Sequence, residues 1–358
     1  MNGYTKDEKF MQRCLDLAIQ GQGEVAPNPM VGAVLVHDNI IIGEGFHKSF
    51  GKSHAEPNAI RNLVRKELLH EATLYINLEP CSHFGKTPPC ANLIIEKNIP
   101  KVIIGTTDPN KLVAGNGIKL LKEAGIEVIT GVLENKCKAL NKRFFTWHIH
   151  KRPYIILKWA RSADGFIDLE RPVNSPVGPN WITSQTARTL VHKWRAEEQA
   201  IMVGTTTVLK DNPRLNIRDW SGKNPLRVVI DKKLKLNTHY HLFDDSQETL
   251  IFTEMAPTLS GKDVTGAKSK TRYASITFDD TAELQMLDFL YRMNIQSLII
   301  EGGAYTLNRF IEKGLWDEAR VFTGSVLFRS GVKSPEISGK SIKSHIIGNS
   351  QLHLINNT

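Results

Sequence analysis

The feature that most constrains this chain is a set of three potential metal ligands within residues 53–90. His54 comes first, and Cys81 and Cys90 follow, each cysteine directly preceded by a proline. One imidazole and two thiolates leave the fourth position of a tetrahedral zinc ion open to water, which is typical of catalytic zinc sites. Glu56 lies two residues after His54, where its carboxylate can exchange protons with that water. The sequence therefore predicts one zinc ion per chain, at a site that activates water.

A purely structural interpretation of the same glutamate is also open. Ser53 and Glu56 have the Ser-x-x-Glu spacing of a helix capping box, and an apolar run of helical period follows them. The two interpretations are compatible, because the start of a helix is a rigid place to mount His54. The pattern predicts this helix over residues 55–69.

The order of the motifs is similar to that of zinc deaminases that act on nucleobases. The two cysteines are nine positions apart (90 − 81), and residues 85–89 between them read Gly-Lys-Thr-Pro-Pro. This long loop resembles the deaminase half of the bifunctional riboflavin-biosynthesis deaminase/reductases. The resemblance implies a cytidine-deaminase-like αβα sandwich with Glu56 as the catalytic proton shuttle. The substrate contacts that it implies are Asn28, His47, Lys86 and Thr87.

Two of these implied contacts also have simpler interpretations. Asn28 lies between two prolines, and asparagine is a common turn residue. His47 precedes His54 by seven positions and is also compatible with an ordinary surface histidine.

The length of 358 residues suits two domains, and residues 151–153 form a charged, proline-marked boundary. We expect a first domain in residues 1–150 and a second in residues 151–358. In the first domain, helices are expected over residues 7–21, 91–98, 117–124 and 134–150, in alternation with short strands. A strand hairpin is expected to turn at Asp38 and Asn39.

Charge and cysteine content restrict the partners and the compartment. The formal charge is +9, from 46 Lys and Arg against 37 Asp and Glu, and the surplus is spread along the chain without a basic tail. We therefore expect no nucleic-acid partner. No segment approaches the ~18 uninterrupted apolar residues of a membrane span, and four cysteines are too few for a disulfide framework. We expect a cytoplasmic protein that contacts no membrane, with Cys14 and Cys137 as buried thiols.

The second half alternates apolar strands with helical segments, which indicates an α/β fold. Strands are expected over residues 154–160, 199–204, 226–230, 249–253 and 297–301, and helices from residue 183 or 184 to 194 and over 305–313. Residues 301–303, Glu-Gly-Gly, join the last strand to the last helix, and backbone N–H groups there suit a phosphate. Two glycines before a helix are also common in a tight turn that binds no ligand. No Gly-x-Gly-x-x-Gly follows a strand, so a Rossmann domain is not supported.

The motifs of this half stand in the order found in the reductase half of the same family. The resemblance rests on the residues around Lys158, Trp181, Gly204, Asp211 and Glu301. It implies a dihydrofolate-reductase-like α/β domain that uses NADPH. The implied NADPH contacts are Ala160, Trp181, Thr207, Asp211, Gly303, Ala304, Tyr305, Thr306, Leu307, Asn308 and Arg309. The implied substrate contacts are Arg195, Leu215, Arg218 and Glu301.

Lys158 and Asp211 are further implied as catalytic residues that form a charged pair near the nicotinamide. Asp211 is expected in a surface turn that follows a loop of three threonines, residues 205–207. Residues 166–180 depart from the family, because they are longer than the usual bacterial form and read Gly-Pro-Asn where a serine contact is common. Residues 334–358 carry no recognisable motif.

The resulting hypothesis is a homo-oligomeric enzyme with two active sites. The first would deaminate a diaminopyrimidinone ribosyl phosphate by hydrolysis, and the second would reduce its ribosyl group to ribityl with NADPH. Two alternatives stay open, namely a deaminase whose reductase half has degenerated and a zinc deaminase that acts on nucleic acid.

Overall fold

The computed structural model describes residues 3–82, 88–110, 114–172, 175–255 and 269–357. Contacts divide the chain into two compact units, Met1–Lys151 and Arg152–Thr358. Within the described ranges, no helix combines the length and the apolar character that crossing a membrane requires.

The first unit is built on a five-stranded mixed sheet with the strand order β2-β1-β3-β4-β5. Strand β1 is antiparallel to β2 and to β3, whereas β3, β4 and β5 are parallel. The elements are α1 (Lys6–Ala18), β1 (Gly32–His37), β2 (Ile40–Phe46), α2 (Ala55–Arg61), β3 (Thr73–Ile76), α3 (Cys90–Glu96), β4 (Lys101–Ile104), α4 (Asn116–Glu123), β5 (Glu127–Thr130), α5 (Glu134–Leu140) and α6 (Lys142–His150).

Alternate residues of the strands pack into two cores on opposite faces of this sheet, as the pleat of a strand requires. One core receives Leu35 and Leu74 and is covered by α2, α3 and α4. The other receives Val34 and Tyr75 and is covered by α1 and α5. The result is the three-layer αβα arrangement expected from the sequence. The predicted hairpin between β1 and β2 is confirmed, with positive φ at both Asp38 and Asn39, which suits the right-handed twist of the strands.

Two predicted helices are shorter than expected. The helix predicted over residues 55–69 ends at Arg61, because the chain turns so that Val64 N–H donates to the Ile42 carbonyl (3.0 Å). The single helix predicted over residues 134–150 is divided into α5 and α6 at Asn141. The Asn141 side chain accepts from the N–H and donates to the C=O of Met30 (2.8 and 2.9 Å), so it holds the loop before β1 in place.

The second unit is built on a nine-stranded sheet with the order β11-β10-β9-β8-β12-β6-β13-β16-β15. All neighbours from β11 to β13 are parallel, and β16 and β15 extend the sheet antiparallel. The elements are β6 (Tyr154–Arg161), β7 (Phe166–Asp168), α7 (Gln185–Glu197), β8 (Ala200–Gly204), α8 (Thr205–Asp211), β9 (Leu226–Ile230), β10 (Thr249–Thr253), β11 (Thr271–Ser275), α9 (Ala282–Arg292), β12 (Ser297–Ile300), α10 (Ala304–Glu312), β13 (Glu318–Thr323), β14 (Val332–Lys333), β15 (Lys340–Ile347) and β16 (Ser350–Asn356).

Both faces of this sheet are covered, which explains the long apolar runs of its parallel strands. Ile155 and Leu157 of β6 pack towards α9 and α10, and Tyr154 and Ile156 of the same strand pack towards α7 and α8. The segment of residues 334–358, which carried no motif, supplies β15 and β16 and so completes one edge of the sheet.

Candidate active sites

The three predicted metal ligands of the first unit lie together at the ends of two helices. His54 is the N-cap residue of α2, Cys90 is the first residue of α3, and Cys81 lies in the segment between β3 and α3. His54 Nδ1 is 3.6 Å from Cys81 Sγ and 3.3 Å from Cys90 Sγ, and the three ligand atoms lie within 4.8 Å of one another. Tetrahedral zinc with ordinary bond lengths separates nitrogen and sulfur ligands by about 3.5 Å. The donor set and its spacing therefore fit zinc.

The two thiols differ in their environment. Hydrogen bonding with the Cys90 thiol and with His54 lowers the pKa of Cys81, despite its burial. The backbone N–H of Cys90, at the start of α3, also faces Cys81 Sγ at 3.3 Å. The same contact with Cys81 raises the pKa of Cys90. Because the thiolate is the form that binds metals, Cys81 is prepared to act as a ligand near neutral pH.

The structure separates the two interpretations of Glu56. Helix α2 begins after His54 and has no side-chain cap, so the capping-box interpretation is wrong. Glu56 is instead only 3% exposed. Burial, with a smaller contribution from the Cys81 charge, raises the pKa of Glu56 to about 7. A carboxyl group that titrates near neutrality is suited to accepting and returning a proton.

Asn28 and His47 lie beside this metal-binding cluster. His47 is buried rather than on the surface, and its ring is 5.3 Å from the ring of His54. His47 Nδ1 faces the Ser53 carbonyl (3.0 Å) and must carry the proton there, so Nε2 accepts from the Asn28 amide at 3.1 Å. Burial lowers the pKa of His47, which keeps the ring neutral. The other two predicted substrate contacts, Lys86 and Thr87, lie outside the described residues.

Two buried side chains that the sequence motifs did not identify hold this site in shape. The Glu79 carboxylate accepts from the N–H groups of Asp108, Gly115, Gly117 and Ile118 at 3.0–3.3 Å, just before Pro80 and Cys81. It therefore fixes the start of α4 next to the metal ligand Cys81. Asn77 accepts from Gly32 N–H and donates to the Met30 carbonyl (2.8 and 3.0 Å), which fixes the loop that carries Asn28. Such side-chain bonds to distant backbone leave no spacing pattern in the sequence.

The second unit contains a cavity of about 1060 Å³ at the carboxyl ends of β6, β8, β9 and β12. This is the edge at which open parallel sheets usually bind ligands. The predicted reductase residues that line it are Lys158, Ala160, Trp181, Arg195, Thr207, Asp211, Leu215, Arg218, Glu301, Gly303, Ala304, Tyr305, Thr306 and Arg309. Two predicted contacts are placed elsewhere, because Leu307 is fully buried in the core and Asn308 is not part of the lining.

Three charged side chains at the floor of the cavity form one ion-pair group. Arg195 donates to both oxygens of Glu301 (2.9 and 2.8 Å), and Lys158 Nζ lies 3.3 Å from the same carboxylate. Burial opposes ionisation of Glu301, but Arg195 and Lys158 outweigh it and lower the pKa of Glu301 to about 2. Burial also lowers the pKa of Lys158, although Glu301 counteracts the effect. With two cations and one anion, the group carries a net positive charge into the cavity.

The predicted pair of Lys158 with Asp211 is wrong, because each residue has a different partner. Lys158 faces Glu301, whereas Asp211 forms an ion pair with Arg171 (2.9 Å). Asp211 is also not in a surface turn but is the last residue of α8 and partly buried. Burial raises the pKa of Asp211, and Arg171 opposes that shift.

The expected threonine loop is helical for a tertiary reason. Threonine disfavours helices in isolation, but these threonines bond to other parts of the unit. Thr205 Oγ1 donates to the Ile230 carbonyl (2.7 Å), and Thr207 Oγ1 accepts from Gly303 N–H (3.0 Å). The second bond ties the start of α8 to the start of α10 at the cavity wall. Cavity-lining side chains that carried no sequence motif include Arg171, Arg188, His192 and Arg214.

Two family models match the chain, one in each unit. The model of the cytidine and deoxycytidylate deaminase zinc-binding region matches residues 4–106, and the model of the RibD C-terminal domain matches residues 153–346. These matches confirm the predicted pairing of a deaminase fold with a reductase fold.

Relatives and solved structures extend over nearly the whole chain. The riboflavin biosynthesis protein RibD of Actinobacillus pleuropneumoniae is 38% identical over 94% of this chain and 88% of its own. That of Aquifex aeolicus is 36% identical over 94% of this chain and 92% of its own. A Thermotoga maritima structure of a diaminohydroxyphosphoribosylaminopyrimidine deaminase/5-amino-6-(5-phosphoribosylamino)uracil reductase superimposes with a TM-score of 0.86 at 36% identity, over 99% of both chains.

A structure of Acinetobacter baumannii RibD has a TM-score of 0.87 at 30% identity, again over 99% of both chains. Agreement at this level of identity and coverage favours the two-activity hypothesis over both alternatives. The chain therefore belongs to the RibD family of riboflavin biosynthesis proteins and is a bifunctional enzyme with a zinc-binding deaminase domain and a reductase domain.

Proposed function

We propose that the first site hydrolytically deaminates a diaminopyrimidinone ribosyl phosphate and that the second site reduces the ribosyl group of the product with NADPH. The observation that carries the proposal is that each unit holds its own site. One has three zinc-ligating atoms within 4.8 Å of one another beside a buried glutamate, and the other has a cavity with an ion-pair group at its floor. The name of the Thermotoga maritima relative supports the choice of substrates.

In the deaminase site, His54, Cys81 and Cys90 would hold the zinc ion. Zinc, when bound, supplies the Lewis acid that makes water a nucleophile near neutral pH. Glu56 accepts the proton of the attacking water and returns it to the amino group, which leaves as ammonia. Its pKa of about 7 suits both steps.

The neighbouring polar pair would orient the pyrimidine. The Asn28 amide and the neutral His47 ring hold each other by a hydrogen bond (3.1 Å), and both are fixed by backbone contacts. A pre-oriented amide and imidazole can bind the edge of a heterocycle without the entropy loss of ordering free side chains. Lys86 and Thr87 remain predicted substrate contacts on the strength of the sequence alone.

The cavity of the second unit suits NADPH on local geometry. Helix α10 begins at Ala304, its N-cap residue Gly303 provides no side-chain cap, and Gly302 to Thr306 line the cavity. The first N–H groups of a helix lack partners within that helix and favour a phosphate. A Cβ atom at residue 302 would lie 2.9 Å from Thr306 Cβ, so a larger residue than Gly302 would require the start of α10 to shift. Ala160, Trp181 and Thr207 would complete the contacts to the cofactor.

In the reductase site, Lys158 is proposed to act on the sugar. NADPH, when bound, supplies the hydride that reduces the ribosyl C1 carbon. Lys158 gives a proton to the ring oxygen as the bond between that oxygen and C1 breaks, which its lowered pKa favours. Glu301 orients Lys158, and Arg195 keeps Glu301 ionised.

The substrate phosphate is proposed to bind at the other cationic groups of the cavity. Arg195 directs two of its donors to Glu301, so Arg218 is the better placed of the two predicted arginines. Burial and the Arg195 charge lower the pKa of Arg218, which indicates a strongly positive surrounding that an anion would relieve. Leu215, also in the lining, would contact the apolar part of the substrate.

A cytoplasmic location and a homo-oligomeric state belong to the same proposal. The location is supported by four cysteines that are all free, as expected of a protein in a reducing compartment. Light scattering of the purified protein would decide the oligomeric state, and a mass equal to one chain would contradict it.

Purified protein should contain about one zinc ion per chain. Cys90→Ser should lose that zinc, because only two of the three ligands would remain for a thiolate-preferring metal. Metal analysis of the purified variant is the measurement. The matched control is Cys137→Ala, which removes a thiol of the same unit that is not in the metal-binding cluster and should retain the zinc. A zinc-free wild-type protein would contradict the proposed deaminase.

A further inference from the structure

Arg171 lies in the segment between β7 and α7, and its side chain is only 10% exposed. Its guanidinium group donates four hydrogen bonds. Nε and Nη2 donate to Asp168 Oδ1 (3.2 and 2.8 Å), and Nη1 donates to the carbonyls of Gly178 and Lys210 (2.7 and 3.0 Å). Nη2 also forms the 2.9 Å ion pair with Asp211 Oδ1.

These contacts join three parts of the cavity wall. Asp168 ends β7, Gly178 lies in the segment before α7, and Lys210 belongs to the last turn of α8. Two further bonds close the same group, from Gly178 N–H to the Lys210 carbonyl (2.9 Å) and from Asn180 Nδ2 to Asp168 Oδ1 (2.8 Å). An arginine that bonds the last carbonyls of a helix stabilises its end. Arg171 is the residue that these parts share.

The Asp211 carboxylate depends on Arg171 for compensation of its charge. Its Oδ1 atom is buried and accepts no hydrogen bond from any residue in the described part of the chain, so the ion pair is its compensation. A buried carboxylate without a partner is strongly disfavoured. The charged groups around Asp211 are Arg171 and Lys210, which favour its ionised form, and Asp168, which opposes it.

We propose that Arg171 is a positioning residue of the reductase site, which fixes the Asp211 carboxylate and Gly178 against the NADPH cavity. The inference rests on the proposed reductase function. Arg171 acts through Asp211 and the cavity wall, and the deaminase site of the other unit does not depend on it.

The test compares Arg171→Gln with the wild-type protein in two assays of the same full-length chain. NADPH oxidation on the deaminated substrate should lose about 100-fold in kcat/KM, the size of effect that misplacement of a reacting group produces. Ammonia release should be unchanged, because the deaminase site lies in the other unit. The acidic limb of the pH profile of NADPH oxidation should move to higher pH, because removing a cation favours the protonated form of Asp211.

Two further variants separate positioning from a general loss of stability. Arg171→Lys keeps the positive charge but loses the planar set of donors that contacts several acceptors at once. The acidic limb of the pH profile should therefore return to the wild-type position, while kcat/KM should recover only in part. Arg152→Gln removes a comparable ion pair, with Asp317 (2.6 and 2.8 Å), outside the cavity lining and should leave the reductase kinetics unchanged.

Wild-type kcat/KM in Arg171→Gln, or a rate loss without the pH shift, would overturn the proposal. If the wild-type protein itself does not oxidise NADPH, the proposed function fails, and NADPH binding measured by calorimetry then decides the positioning role. Weaker binding to Arg171→Gln than to wild type would support it, and equal binding would overturn it.

Discussion

Glu56→Gln should reduce ammonia release by roughly 10²–10⁴-fold, the range expected when a positioned general acid–base group is removed. The glutamine amide has nearly the size of the carboxyl group but cannot accept and return a proton. Because Glu56 is buried beside the metal ligands without being one of them, the variant should retain its zinc. The measurement is the rate of ammonia release together with the zinc content of the same sample.

Two controls make that result specific. Glu71→Gln removes an exposed carboxylate of the same unit, 69% exposed, and should release ammonia at the wild-type rate. NADPH oxidation by Glu56→Gln on the deaminated substrate should also be unchanged. Wild-type ammonia release by Glu56→Gln would show that the buried carboxyl group is structural and that another residue transfers the proton.

Lys158→Met should reduce NADPH oxidation by roughly 10²–10⁴-fold while ammonia release continues. Methionine fills a similar volume without the ammonium group, so the sugar oxygen would lose its proton donor. Glu301 keeps both hydrogen bonds from Arg195 in this variant, so the buried carboxylate is not left unpaired and the unit should remain folded. The measurement is NADPH oxidation on the deaminated substrate.

Lys193→Met is the matched control for this variant. Lys193 is half-exposed in α7, faces Glu197 and is not part of the cavity lining, so its replacement should leave both activities unchanged. If Lys158→Met oxidises NADPH at the wild-type rate, the ion-pair group at the cavity floor does not transfer the proton. If both activities fall together, the effect is on folding.

The zinc site was predictable from the sequence because zinc restricts its ligands to few residue types. His54 and Cys90 lie at helix starts and Cys81 contacts both, so the fold adds little that their order does not already indicate. The role of Glu56 was ambiguous, since a capping glutamate and a proton-transferring glutamate have the same spacing. The absence of a side-chain cap on α2 and the burial of Glu56 separate the two.

The supporting residues were not predictable, because they act on backbone that is distant in sequence. Glu79 bonds N–H groups about 30 to 40 positions away, and Asn141 bonds Met30 across 111 positions. A side chain that serves a distant loop looks like any other polar residue in a helical pattern. For the same reason, the helical pattern of residues 134–150 does not indicate the interruption at Asn141.

In the second unit, the positions of five parallel strands were predictable, but their order in the sheet and the charge pairing were not. Lys158 is one strand away from Glu301, and adjacent parallel strands bring their carboxyl ends together. The family resemblance implies a pair of Asp211 with Lys158, whereas the partner of Asp211 is Arg171, which lies in a segment without a motif. The threonines of α8 are helical although threonine disfavours helices, because their hydrogen bonds to other parts of the unit outweigh that preference.

The most direct test of the central claim is the mass of the product that the purified full-length protein forms from the diaminopyrimidinone ribosyl phosphate, with and without NADPH. Without NADPH, the two-site account predicts a single product in which oxygen has replaced one amino group, with ammonia released. With NADPH, it predicts the same replacement together with the addition of two hydrogens to the sugar. A product that is reduced but still carries both amino groups, or a substrate left unchanged under both conditions, would contradict it.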